Sequence, residues 1–310
     1  MRFGFIGGTP RGFTLFTELL ANHYRPEFCV ILKEDDHENT KISGEFLDFA
    51  EKSSIPSGIK KKLEEKDYEM IKELALDFII VCGWRTLIRP EINNYLKIGL
   101  VAAHDSLLPK YRGFAPLNWA IINGEKKTGV TLFIINDGET DSGDIILQEE
   151  VPVPENEYAS DVYKRVIDAT ISLYLQFLGN VASGQPVKRG KQNESEATYT
   201  CKRSPEDGQI NWNGPSENIY NLIRALAYPY SGAFFFHSGK KYEVRTAGLG
   251  LQNSKNFAGR IPGKIISITD NGIEVMCGKG TVLIGEIYDE SAATIASANQ
   301  VFKSITIKLQ

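Results

Sequence analysis

Two hydrophobic periods alternate along the first half of this chain. Residues 2–6 read as a short buried strand that closes at Gly7-Gly8, and Thr9-Pro10-Arg11-Gly12 follows as a turn. Phe13, Leu15, Phe16, Leu19 and Leu20 then recur at helical spacing. A second apolar strand over 28–32 runs into the acidic group Glu34, Asp35 and Asp36, and a charged helical stretch is expected over 60–76. Apolar strands over 77–82 and 100–103 come next, the latter ending at His104. Strands alternating with helical stretches predict parallel βαβ units in an open α/β sheet.

The pattern changes after Thr128. Strands over 130–135 and 145–153 flank a polar, Gly-containing loop, and a helical run over 160–178 closes this part. The polar stretch 183–204, with Gly184, Gly190 and clustered Lys and Arg, reads as a linker. It divides the chain into domains 1–203 and 204–310, in keeping with roughly 150 residues per domain. Past it, a helix over 215–226 leads into short strands over 232–237, 242–247, 263–268, 273–277 and 281–287. Short strands separated by Gly and Asn turns predict a small barrel.

Charge narrows the function classes. Against 35 Lys and Arg stand 39 Asp and Glu, a formal −4 over 310 residues. That weak acidity counts against a nucleic-acid partner, which calls for a basic surface. The four cysteines, Cys29, Cys82, Cys201 and Cys277, form no CxxC and read as buried, reduced thiols of a cytoplasmic protein. The apolar N-terminal run is too short for a signal peptide, and no run approaches the roughly 18 apolar residues of a membrane helix.

The glycines Gly4, Gly7, Gly8 and Gly12 miss the GxGxxG spacing of a dinucleotide fingerprint. They read as a tight strand-to-helix turn. The alternative is an anionic group at the helix N-terminus, assisted by Arg11. His23, His37 and His237 read as surface residues, and no HExxH or His/Cys cluster points to a metal. His104 differs, because it ends an apolar strand where open α/β sheets place their ligands.

The residues that follow are distinctive. His104-Asp105-Ser106-Leu107-Leu108-Pro109-Lys110-Tyr111-Arg112-Gly113 resembles the HxSLLPxxRG motif of the 10-formyltetrahydrofolate-dependent formyltransferases. Thr128-Gly129-Val130-Thr131 and Asp141-Ser142-Gly143-Asp144 match the family's TGVT and D-[ST]-G-D in order and at near-correct distance. PEDGQINW (205–212), Ile223-Arg224-Ala225 and Pro229-Tyr230-Ser231-Gly232-Ala233-Phe234 extend the likeness past residue 204. The second block is most similar to the branch that formylates a UDP-linked 4-amino-4-deoxy sugar.

The resemblance implies a Rossmann-like N-terminal formyltransferase domain and a smaller, mostly β, OB-like C-terminal domain. It implies acyl transfer, in which an amine attacks a formyl carbon carried on N10 of the folate. His104 would act as base or as protonated oxyanion stabiliser, and Asp141 as its carboxylate partner. The folate, as formyl donor, would meet Trp84, Arg85, Thr86, Leu87 and Ile88 on one loop, and Asn136, Asp137 and Gly138 on another. The acceptor implied is a nucleotide-linked amino sugar, UDP- or dTDP-linked, whose diphosphate Arg11, Lys110 and Arg112 could meet. Tyr111, Tyr228 and Tyr230 are available for stacking.

The alternative acceptor is methionyl-tRNA, to which the ten Lys and Arg against nine Asp and Glu of residues 205–310 give little support. A homodimer is left open. One position departs from the family. Its pattern is Asn-x-His, whereas this chain has Ala102-Ala103-His104. Ala102 can donate no hydrogen bond to a developing oxyanion, a loss typically worth about 10²–10³ in rate. Another donor, an altered residue or an inactive relative would each account for it. Asn118 is the nearest asparagine in sequence, and Asp105 reads as a cap of its loop.

Overall fold

Seven strands build the expected sheet in the computed structural model, which describes residues 1–35 and 41–310. They are β1 (Phe3–Gly7), β2 (Cys29–Leu32), β3 (Ser57–Lys60), β4 (Phe78–Cys82), β5 (Gly99–His104), β6 (Lys127–Ile134) and β7 (Ile145–Pro152). Their order is β3-β2-β1-β4-β5-β6-β7. The first five pair in parallel, and β6 runs antiparallel to β5. Every residue of β1 and β4 is buried, as a parallel sheet covered on both faces requires. Asp36 and His37 lie outside the described residues.

Side chains alternate across this sheet. Phe5 packs on Phe16 of α1 (Thr9–Ala21) and on Phe46 of α2 (Ser43–Lys52). The opposite face carries Ile6, Val30, Ile79, Val81, Leu100 and Ala102, clustered with Tyr68 and Ile71 of α3 (Glu65–Glu73). Cutting a ring such as the fully buried Phe16 back to alanine would cost about 3–5 kcal/mol.

Two expectations in this region need correction. The helix expected over 60–76 is shorter, because Lys60 ends β3 and a capping box at Glu64 starts α3. Lys60 Nζ reaches Asp67 across that turn at 2.7 Å. The sequence Ser57-Gly58-Ile59-Lys60 has no apolar run, so its strand conformation comes from pairing with β2. The stretch 183–204 is also more than a linker. Ile145 and Gly190 exchange backbone hydrogen bonds at 2.8 and 2.9 Å, and Thr198 accepts the Arg112 N–H at 2.8 Å.

The chain divides into two compact units that cut across the expected boundary at 203. One comprises Met1–Gly113, Gly129–Val151 and Arg165–Tyr199; the other comprises Phe114–Thr128, Pro152–Lys164 and Thr200–Gln310. Helix α5 (Ala159–Ala182) contributes to both. The second unit is mostly β, with two four-stranded antiparallel sheets. Trp212, Ile223, Phe235, Val275, Ile284 and Phe302 form its core. In it α4 (Pro116–Ile122) packs on α6 (Ser216–Leu226). Among the described residues, no helix is long and apolar enough to cross a membrane.

Candidate active site

The strand order reverses between β1 and β4, and open α/β sheets bind ligands at the carboxyl ends of such strands. A cleft of about 410 Å³ lies there. Arg11 after β1, Val81, Gly83 and Trp84 of β4 and its loop, and Ala102, Ala103 and His104 of β5 line one part. Phe133, Ile135, Asn136, Gly138, Glu139, Thr140 and Asp141 line another part. Gly12 serves the packing beside it, since a Cβ there would sit 2.7 Å from the Cys82 carbonyl oxygen. The opening glycines therefore answer a close approach of backbones.

His104 is buried and held from two sides. Its Nε2 lies 2.8 Å from the Tyr111 carbonyl oxygen. A carbonyl can only accept, so Nε2 carries the proton. That leaves the lone pair on Nδ1, 3.5 Å from Asp141 Oδ2. The same carboxylate oxygen accepts the Gly113 N–H at 2.8 Å. A ring with one nitrogen committed and the other facing a carboxylate can take a proton at Nδ1 and hold the resulting cation.

The motifs earn their spacing as supports for this ring. Thr131 Oγ1 donates to the Ser106 carbonyl at 2.6 Å and accepts from the Leu108 N–H at 3.1 Å. Gln148 Nε2 adds a bond to the Leu108 carbonyl at 2.8 Å. The SLLP loop is thus pinned to β6 and β7. Asp141 itself is left-handed (φ 54°), a conformation that costs a non-glycine residue about 1 kcal/mol or more. Gly143 follows because a Cβ there would come within 1.6 Å of the Ile134 carbonyl oxygen. The Tyr174 hydroxyl on α5 reaches the carbonyls of Val81 and Val101, both at 3.1 Å, tying β4 to β5 beneath the cleft. Burial pushes that hydroxyl well above its ordinary range, which keeps it a donor.

The other expected residues divide into three groups. Trp84, Thr86, Leu87, Ile88, Asn136 and Gly138 line the cleft. Arg85, Asp137 and Lys110 are exposed and do not line it. Arg11 is buried in the cleft wall, where its guanidinium pairs with Asp105; Asp105 is therefore an ion-pair partner and not only a loop cap. Tyr111 contributes its carbonyl to His104.

Four expectations are corrected. Arg112 is fully buried, with its guanidinium bonded to Gln192, Glu194 and Tyr199, so it does not present its charge to a diphosphate. Asn118 is buried in the second unit and donates to the Ala225 carbonyl at 2.7 Å, which commits its amide to packing α4 on α6. Tyr228 and Tyr230 belong to the second unit, Tyr228 exposed and Tyr230 half-buried. His237, expected at the surface, is half-buried against the Phe302 ring at 5.6 Å. Cys29, Cys82 and Cys277 are buried, whereas Cys201 is exposed. Burial pushes the Cys82 thiol up even though Arg11 pulls it the other way, so the thiol nearest the cleft is a poor nucleophile.

Comparison with known proteins shows the family. Residues 32–178 match the family model for formyl transferase, and residues 202–305 match that for the formyl transferase C-terminal domain. A methionyl-tRNA formyltransferase of Clostridium acetobutylicum is 36% identical over 286 residues, covering 90% of this chain and 89% of that protein. One from Syntrophus aciditrophicus is 33% identical over 236 residues, covering 76% and 72%. Among solved structures, an N-formyltransferase from Helicobacter canadensis in complex with folinic acid and dTDP-3-aminofucose superposes with a TM-score of 0.69. Its identity is 19%, over 92% of this chain and 98% of that one. At that identity the likeness speaks for the fold.

Proposed function

This chain belongs to the formyl transferase family, and we propose that it passes the formyl group of 10-formyltetrahydrofolate to the amine of a nucleotide-linked amino sugar. The observation that carries formyl transfer is the His104 ring, fixed by the Tyr111 carbonyl at Nε2 and facing Asp141 with Nδ1. A pterin fits the cleft on two counts. Its volume of about 410 Å³ is of ligand size, and apolar walls mixed with a few polar groups suit a flat heterocycle. Val81, Ile88, Phe133 and Ile135 would cover the ring faces, and Trp84, Thr86, Leu87 and the 136–138 loop would close around it. When bound, the folate supplies a formyl group already activated for transfer.

The residues of this chain then have separate tasks. His104 Nδ1 takes a proton from the attacking amine, the Asp141 carboxylate holds the imidazolium that results, and this proton is then available to the folate nitrogen from which the formyl carbon departs. Ala102 offers no donor where the family has asparagine. Arg11, braced by Asp105 in the same cleft, brings the positive charge that can meet a developing oxyanion.

The acceptor is argued from charge. The whole chain is at −4, and residues 205–310 hold ten Lys and Arg against nine Asp and Glu. A diphosphate needs only a few cations, whereas a tRNA contact rests on many. The dTDP-3-aminofucose complex of the Helicobacter canadensis protein supports the same reading. A second reading, methionyl-tRNA as acceptor, is favoured by the curated relatives at 36% and 33% identity. Incubating the protein and formyl donor with UDP-, dTDP- and GDP-linked amino sugars, and in parallel with charged initiator tRNA, separates the two by mass spectrometry. A formylated sugar nucleotide is expected; formyl-methionyl-tRNA alone would sink the sugar reading.

A further inference from the structure

The side chain that best explains the shape of this site lies in the stretch that reads as a linker. Gln192 Nε2 donates to the carbonyls of Asp141 and Gly143, both at 2.7 Å. Its Oε1 accepts from Arg112 Nε at 3.0 Å and from Nη2 at 2.7 Å. One carboxamide has two N–H donors and two acceptor sites, and here all four are used. The guanidinium also settles which end of the amide is oxygen, because a guanidinium can only donate.

Arg112 is filled in the same way. Besides its two bonds to Gln192, it reaches both carboxylate oxygens of Glu194 at 2.8 Å and the Tyr199 hydroxyl at 3.1 Å. That accounts for five N–H donors on a side chain with no exposure. Tyr199 continues the chain to Glu139 Oε2 at 2.5 Å, on the loop that lines the cleft. A loop bearing a left-handed aspartate is therefore gripped at three residues: 139, 141 and 143. Such a conformation persists only where its surroundings over-determine it.

We propose that Gln192 is a positioning residue: braced by Arg112, it holds Asp141 at the distance from which its carboxylate serves His104. This rests on the reading of His104 and Asp141 as the reacting pair. Gln192 does not line the cleft, and its amide bonds Arg112 and the Asp141 and Gly143 carbonyls, so its effect passes through the loop. Misplacing a reacting group by about 1 Å costs about 10² in rate, and that sets the scale.

The test compares Gln192→Glu, Gln192→Ala, Asp141→Asn and the double variants in the full chain. Each is assayed with 10-formyltetrahydrofolate and whichever acceptor, dTDP-linked amino sugar or methionyl-tRNA, is turned over. Gln192→Glu keeps the acceptor that Arg112 needs and removes both N–H donors, so it stays folded if Gln192→Ala does not. The expected result is a kcat lowered by about 10–10² in Gln192→Glu, with the KM for the acceptor near wild type. In the Asp141→Asn background the same change adds nothing further. Wild-type kcat in Gln192→Glu overturns the proposal while Asp141→Asn remains impaired. Losses that multiply in the double variant also overturn it, since they place the action of Gln192 elsewhere. Wild-type turnover in Asp141→Asn would instead bring down the reading of the reacting pair, and this proposal with it.

Discussion

At the scale of single residues, the site depends on which nitrogen of His104 is committed. The Tyr111 carbonyl claims Nε2 at 2.8 Å, leaving Nδ1 and its carboxylate neighbour to handle a proton. Asparagine at 104 ends short of the Nε2 position and has no basic nitrogen that could take a proton. His104→Asn is therefore expected to keep its circular dichroism spectrum and lose about 10²–10⁴ in kcat, the usual worth of a positioned acid–base group. Turnover near wild type at saturating substrates would refute the role. Ala102 lines the same cleft at 7% exposure. With Arg11 and Asp105 already paired there, Ala102→Asn is expected to raise kcat less than tenfold, where a missing oxyanion donor would restore about 10²–10³. A gain of that larger size in a kinetic assay would show that Arg11 does not fill the role.

At the scale of elements, helix starts and loop anchors are made by side chains distant from the cleft. Glu34, 8% exposed, accepts the N–H groups of Ile42 and Ser43 at 2.7 Å each, where α2 begins. Burial pushes its carboxyl up, but hydrogen bonds from the Ser43 side chain and from this backbone outweigh it and hold it below the ordinary glutamate range. A carboxyl lowered in the folded state stabilises above its unfolded value and loses that contribution as pH falls through the folded one. Glu34→Gln should thus lower the unfolding midpoint at pH 7 by about 1–3 °C, and the gap to wild type should close as the pH drops below 4.5. Calorimetric scans across that range check the sign, and a gap that widened on acidification would contradict it. The same scale explains Asn118. An exposed-looking asparagine in Ala115-Pro116-Leu117-Asn118-Trp119 is buried because α4 needs its amide to meet the Ala225 carbonyl on α6.

At the scale of the whole molecule, charge is the property that bears on the acceptor. A protein neutralising several phosphates of a tRNA loses about 10³ or more in affinity between 50 and 200 mM salt. A chain at −4, whose residues 205–310 are close to neutral, is expected to show acceptor KM values that change less than tenfold over that range. Initial-rate measurements at four salt concentrations decide it, and a steep slope would favour the methionyl-tRNA reading.

Much of this protein was legible without its structure, for physical reasons that are local. Continuous apolar runs marked β1, β2, β4 and β5 because central parallel strands are buried on both faces. Gly129 and Gly143 stand where a Cβ would strike the carbonyl oxygens of Glu149 and Ile134, and Thr131 ties its strand to the SLLP loop through its hydroxyl. Weaker patterns were lost: β3 has no apolar run, and Lys60 joins it through pairing with β2. Only the tertiary structure decided which distant groups meet. Arg112 looked like a free cation because the four oxygen atoms that fill its five N–H groups arrive from residues 192–199, and nothing in the local sequence announces them. Gln192 looked like linker for the same reason. A side chain's type is written in the sequence, but its partner is set when strands and loops far apart in the chain are brought within hydrogen-bond range.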